Sequence, residues 1–142
     1  MQTLRRIVIG TDFSACAEQA LETAITLAKV ALAGVIVVHV CKPDDDDLDE
    51  ALRERSEALT RLVDSHQHRG IEVMGVLRSG KPWVKLNNVA AEVGANMIVI
   101  GRYGSGSGRD LAIGSVAEHL VRSASRPILV VPCDFVHAPG AR

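Results

Sequence analysis

Aromatic residues are scarce in this chain: Phe, Trp and Tyr together make up 3% of 142 residues, although 47% are hydrophobic. A core of this composition is built from Val, Ile, Leu and Ala, as suits helices packed on a buried parallel sheet. Net charge is equally slight, at −1 with the histidines neutral, so no basic field draws the chain to nucleic acid or to an anionic membrane surface. No apolar run nears the roughly 20 residues of a membrane span. The amino terminus, Met1-Gln2-Thr3-Leu4-Arg5-Arg6, enters an apolar stretch too short for the core of a signal peptide, and a cytoplasmic protein is expected. The three cysteines, Cys16, Cys41 and Cys133, are odd in number and far apart, which predicts neither a disulfide framework nor a Cys-x-x-Cys pair. Cys16 falls in the expected first turn of a helix, where a thiolate is favoured, but reads as a small hydrophobe facing a sheet.

What is present is an alternation of strands and helices, at a length that suits one domain. Residues 6–10 read as a first strand. Beyond Thr11-Asp12-Phe13-Ser14, residues Ala17, Ala20, Leu21, Ala24, Ile25, Ala28 and Ala31 recur at helical spacing. Gly34 is expected to close that helix, and residues 35–40 form a second, largely β-branched strand. The acidic run Asp44-Asp45-Asp46-Asp47 leads to a second helix over about residues 48–68, and a third strand follows at 71–77. Ser79-Gly80-Lys81-Pro82 opens a third helix with proline in its first turn, and Gly94 ends it. A fourth strand at 97–100, a fourth helix at 115–124 and a fifth strand, Ile128 to Val131, complete the pattern; residues 1–132 read as the domain and 133–142 as a loose tail. Such a chain folds as an open five-stranded parallel sheet, order 3-2-1-4-5, with helices on both faces. Ligands bind such sheets outside the carboxyl ends of the strands where the order reverses. That crevice lies between the first and fourth strands, so Asp12 and Gly101 should meet there.

The segment after the fourth strand, Gly101-Arg102-Tyr103-Gly104-Ser105-Gly106-Ser107-Gly108-Arg109-Asp110-Leu111-Ala112-Ile113-Gly114, runs straight into the helix opening Ser115-Val116-Ala117-Glu118. Glycines leave backbone N–H groups free to converge on an anion. A helix start adds unpaired donors and a favourable dipole, so a phosphate is expected there. Ser115 and Glu118 also match a capping box, while Asp12 and Ser14 are rival caps for the first helix.

The spacing G-x2-G-x9-G-S, carried by Gly101, Gly104, Gly114 and Ser115, joins Thr11-Asp12-Phe13-Ser14, Val38-His39-Val40, Gly80 and Pro82 in a chain that resembles the universal stress protein family from Arg6 to Pro132. Similarity to its nucleotide-binding branch implies a Rossmann-like ATP-binding module acting in stress response through conformation or partner contacts. It also implies a homodimer, and Mg2+ arriving with the nucleotide. Carried over residue by residue, Asp12 would contact the nucleoside, Val40 would present its backbone to adenine, and Thr11 and Arg102 would belong to the same nucleotide site. Gly101 would border the ribose; Gly104, Gly114, Ser115 and the Val116 N–H would hold the phosphates. Asn96 stands where the family commonly has aspartate, which reads as structural, and the extra glycines Gly106 and Gly108 loosen the loop. The alternatives are a nucleotide-free interaction module of the same family and a slow ATP-hydrolysing or nucleotide-transforming enzyme.

Other features are weaker. Gly75-x4-Gly80-Lys81 imitates a phosphate-binding P-loop, but Pro82 has no hydroxyl for magnesium and Gly75 lies inside a strand. The four aspartates lack the spacing and glycine turns of a metal loop. His66 and His68 point to different sides of a helix, and His39 reads as a hydrogen-bonded structural histidine. Trp83 and Tyr103 are placed at loop edges, where Tyr103 could shield a ligand. The last strand, between Pro127 and Pro132, offers an edge for a second copy.

Overall fold

The computed structural model describes residues 3–42, 47–67, 70–104 and 112–134. Asp44, Asp45, Asp46, His68, Gly106 and Gly108 lie outside them. Strands β1 (Arg6–Gly10), β2 (Gly34–Cys41), β3 (Val73–Ser79), β4 (Met97–Gly101) and β5 (Ile128–Val131) alternate with helices α1 (Ala15–Ala31), α2 (Leu48–Asp64), α3 (Pro82–Val93) and α4 (Ser115–Ser123). The sheet is wholly parallel, in the order β3-β2-β1-β4-β5.

Alternation along β1 builds both halves of the core. Ile7 and Ile9 face α1 and share one buried cluster with its Leu21 and Ile25, which Leu59 and Val63 of α2 extend over β2 and β3. Val8 faces the other way, onto Leu86 and Val89 of α3 and Leu120 of α4. A side chain of this size, fully buried, contributes about 1.5–3 kcal/mol, so the central strand anchors the sheet from both sides. Asn96 joins strand starts: its Oδ1 accepts from the amides of Arg5 and Arg6 at 2.7 and 3.0 Å, the structural part its position suggested.

Several boundaries differ from the sequence expectation. Gly34 does not close α1 but begins β2; the left-handed turn falls on Leu32, at φ 58°, even though a side chain there costs roughly 1–2 kcal/mol. The amide of Ala33, bonded to the Ala28 carbonyl at 2.9 Å, holds this turn. Helix α2 stops at Asp64, because Ser65 Oγ donates to the Leu62 carbonyl and the buried His66 Nδ1 lies 2.9 Å from that same oxygen. Strand β3 accordingly starts at Val73 rather than at residue 71.

The cysteines depart furthest from expectation. Cys16 and Cys133 form a disulfide, with Cα atoms 4.2 Å apart across a sequence separation of 117. Cys16 is buried as expected, in the first turn of α1, but its partner is a sulfur and not only the sheet. The physical reason is topological: β5 lies beside β4, and the start of α1 packs under the end of β4, so the residue just past β5 arrives at Cys16. Cys133, placed by its sequence in a loose tail, is therefore fastened, and Cys41 is left as a buried thiol.

Candidate functional site

The turn after β1 is wound tightly by its own side chains. Thr11 Oγ1 accepts from the Phe13 amide at 3.0 Å, and Asp12 Oδ1 accepts from the Ser14 amide at 3.0 Å. Ser14 is the cap of α1, accepting from the Ala17 amide at 3.2 Å. Asp12 thus makes a two-residue turn of its own rather than capping the helix. This winding holds Phe13 at φ 65°, an uncommon value for a bulky residue, with its ring 4.6 Å from that of His39.

Two backbone approaches shape the other side. A Cβ on Gly101 would lie 2.9 Å from Cys16 Sγ and 3.1 Å from the Cys16 carbonyl oxygen, so only glycine lets β4 end against α1. A Cβ on Gly114 would lie 3.0 Å from the Arg102 carbonyl oxygen and 3.2 Å from the Tyr103 Cα. The Gly114 amide donates to that Arg102 carbonyl at 2.7 Å, and the Arg102 amide donates to the Val131 carbonyl at 2.8 Å. The two ends of the glycine-rich segment are thereby closed into a neck, and α4 starts from it.

The cap of α4 is Gly114, which has no side chain to give, and among the described residues no side-chain cap bonds the helix start. The capping box expected from Ser115 and Glu118 does not form: Ser115 is the first helical residue, and Glu118 instead pairs with Arg122 at 2.8 Å. Lacking a side-chain cap, the first-turn amides of Ser115, Val116 and Ala117 are placed where an anion would be welcome.

These pieces meet around a cavity of about 460 Å³ at the carboxyl ends of β1, β2 and β4, within the range usual for small-molecule sites. Thr11, Asp12, Val40, Gly101, Arg102, Gly104, Gly114, Ser115 and Val116, each singled out from the sequence, all line it. Tyr103 stands at its rim, its hydroxyl 3.5 Å from the Ala112 carbonyl. Trp83 lies beside it rather than in it, stacked on His119 at 3.9 Å. A second, more open depression, about 620 Å³, lies at the opposite strand ends around Arg5, Asn96 and Arg126. The carboxyl ends of α3 and α4 reach it, and their dipoles disfavour anions there.

Sequence reasoning missed Arg55 and Lys42, which bring cations to the crevice. Arg55 sits on α2 and reads in the sequence as one more charge on a solvated helical face; it stays exposed, and only the packing of α2 against β2 brings its guanidinium to the crevice. Its Nη1 lies 3.2 Å from His39 Nε2, while His39 Nδ1 is 2.7 Å from the Thr11 carbonyl oxygen. A carbonyl can only accept, so the ring proton sits on Nδ1 and Nε2 accepts from Arg55. Burial pushes the His39 pKa below its ordinary value, against the Thr11 carbonyl, which favours the protonated ring; nearby Arg55 lowers it further and Asp12 raises it. A neutral His39 with both nitrogens engaged positions Arg55 and is not free to act as a base.

The arrangement matches known proteins over most of its length. The model of the universal stress protein family matches residues 3–132. Universal stress protein MJ0531 of Methanocaldococcus jannaschii is 29% identical over 138 residues, covering 89% of this chain and 81% of its own. Universal stress protein YxiE of Bacillus subtilis is 23% identical, covering 89% and 97%. Among solved structures, that of MJ0577 superposes with a TM-score of 0.84 at 23% identity over 96% of this chain and 100% of its own, which speaks for the fold. The universal stress protein of Archaeoglobus fulgidus in complex with dAMP superposes at 0.73, with 28% identity over 92% and 99%. With a five-stranded sheet in the order 3-2-1-4-5 and a family match across nearly its whole length, the chain belongs to the universal stress protein family.

Proposed function

We propose that the protein is an ATP-binding stress-response module, which takes the nucleotide in the crevice between β1 and β4. The observation that carries this reading is the uncapped start of α4, opening beside the Arg102–Gly114 neck into a cavity of about 460 Å³. Amide donors of Ser115 and Val116 suit phosphate oxygens, and the Asp12 carboxylate across the cavity suits ribose hydroxyls. The backbone of Val40 suits the edge of adenine, with Arg55 and Lys42 nearby to balance phosphate charge. The Archaeoglobus fulgidus relative solved with dAMP supports an adenine nucleotide as the ligand class. Mg2+ would travel on the phosphates, where the Asp12 carboxylate that lines the cavity could help hold it, and would neutralise phosphate charge.

Binding is favoured over turnover by the engagement of His39, both of whose ring nitrogens already have partners. The chain would then act through conformation or partner contacts, as a homodimer joined at β5 and placed in the cytoplasm. Among the described residues no helix is long and apolar enough to cross a membrane. Calorimetric titration with Mg-ATP checks the reading and should show one site per chain at micromolar affinity or better. No heat and no thermal shift at millimolar ATP would exclude it, because a ligand far above its Kd must stabilise the fold.

A further inference from the structure

The Cys16–Cys133 disulfide sits directly beneath the candidate crevice. Cys16 touches the position where a Gly101 Cβ would be, and Gly101 and Ala17, its neighbours in space and sequence, both line the cavity. Cys133 follows Val131 by two positions, and the Val131 carbonyl holds the Arg102 amide at 2.8 Å. The Arg102 carbonyl in turn holds the Gly114 amide at 2.7 Å, and the Gly114 carbonyl accepts from Glu118 in the first bond of α4 at 2.9 Å. A continuous path of one covalent link and three hydrogen bonds therefore joins the disulfide to the helix start. Without the bond, β5 is a four-residue edge strand held at its end by the ladder to β4 and by the buried Val131 side chain, with no covalent tie to α1.

We propose that Cys16–Cys133 is a thiol–disulfide exchange site, with low-molecular-weight or protein thiols as the reacting class, and that its state sets the order of the Arg102–Gly114 neck. Cys133 is the more accessible residue of the pair, half-buried where Cys16 is 3% exposed, so the attack is assigned to its side. An incoming thiolate attacks Cys133 Sγ, forms a mixed disulfide with it and expels Cys16 as a thiolate bearing the bonding electron pair. The leaving sulfur lies in the first turn of α1, where the helix N-terminus favours an anion, and a better-stabilised thiolate leaves faster. A second thiolate then attacks the external sulfur of the mixed disulfide, releasing the oxidised partner and the Cys133 thiolate. The two cysteines are reduced by two electrons, the two partner thiols are oxidised to one disulfide, and each cysteine thiolate takes up a solvent proton according to pH. Reduction removes the covalent tie between the end of β5 and α1, leaving only side-chain packing between them, and loosens the bonded path into α4; the bonded form is the ordered one.

The consequence for ATP rests on the nucleotide reading, whereas the consequence for the neck does not, and the experiment separates them. Peptide mapping of the unreduced protein should recover a Cys16–Cys133 linked peptide; its absence after air oxidation would overturn the proposal. Amide hydrogen exchange at Arg102 and Gly114 is then followed with and without dithiothreitol, and in Cys133→Ser. Both reduction and the substitution should speed exchange at these amides at least about fivefold, the low end of coupling between linked sites, and weaken Mg-ATP by a similar factor. Equal exchange rates in the oxidised and reduced protein would overturn the proposal even if ATP binds. If exchange responds but Mg-ATP binds both forms equally, the effect of the bond on the ligand is refuted while the nucleotide reading stands. If neither form binds ATP, the nucleotide reading fails and the amide rates alone decide the exchange site.

Discussion

At Gly114 the backbone has ordinary dihedrals, with φ at −72°, so the left-handed freedom of glycine is not what the position requires. It requires room, because a Cβ would press on the Arg102 carbonyl at 3.0 Å and the Tyr103 Cα at 3.2 Å. Both obstacles are backbone, which cannot swing aside as a side chain tip can. Gly114→Ala should therefore push the neck open and turn the amides of Ser115 and Val116 away from a phosphate. Losing one or two charge-assisted hydrogen bonds, at about 1.5–3 kcal/mol each, predicts roughly a tenfold to hundredfold loss of ATP affinity. Circular dichroism should be unchanged, and stability should fall by only about 1 kcal/mol. Titration of this variant at parental affinity would place the phosphate site elsewhere. His39 makes a different residue-level prediction. Its folded pKa lies below the ordinary 6.5, so the unfolded chain binds the proton more readily. The sign follows: the contribution is fully present above pH 6.5 and is lost as pH falls through the lowered folded value. Urea unfolding measured across this acid range should show stability dropping in the parent and a shallower drop in His39→Gln, which cannot titrate. Parallel curves would mean that His39 does not limit acid stability.

At the scale of elements, β5 forms an edge of the sheet. The carbonyls of Pro127 and Val131 both point to β4, accepting from Ile98 at 2.9 Å and Arg102 at 2.8 Å. Strand groups alternate in direction along the chain, so the N–H and C=O of Ile128 and Val130 face the open edge. If a second copy pairs there, Val130→Pro removes an outward donor without touching the ladder to β4, the arrangement in which edge strands tolerate proline. Sedimentation should then find monomers where the parent is dimeric, with the melting profile of the monomer intact; an undisturbed dimer would put the interface elsewhere. The same scale shows what was legible in advance. The order of strands and helices could be read because hydrophobic periodicity reports which face of each element is buried, and β1, α3 and β5 begin where that pattern begins. Helix ends were harder. Leu32 shows why: its left-handed turn is imposed by the bond from Ala33 to Ala28, and nothing in leucine announces it. Ser115 shows the converse, since its capping pattern is sound locally and yet the chain enters α4 through Gly114, drawn there by the bond to Arg102. Arg55 stayed hidden because its partner His39 belongs to another element, brought to it only by packing.

For the molecule as a whole, the least legible feature is the one with the largest expected effect. Counting cysteines tests for frameworks of several bridges, and an odd number far apart argues against one, but a single bridge depends on where the strands return. Here the return of β5 beside β4 brings Cys133 to Cys16 across a separation of 117 residues, and the loop that the bond closes is nearly the whole chain. Long loops are where a crosslink most restricts the unfolded ensemble; the chain-entropy model gives about 5 kcal/mol for this one, while removal of native bridges commonly costs about 2–5 kcal/mol. Reduction should thus lower the urea midpoint by about 1 M or more. It should also steepen the transition, because an unfolded chain without the crosslink expands further and exposes more surface. The steeper slope separates this effect from the mere loss of a native contact, which would move the midpoint at constant slope. The measurement is a pair of urea curves, with and without reductant, joined by a third on Cys133→Ser. Three superimposable curves would mean that the two sulfurs, though adjacent, do not constrain the chain in solution.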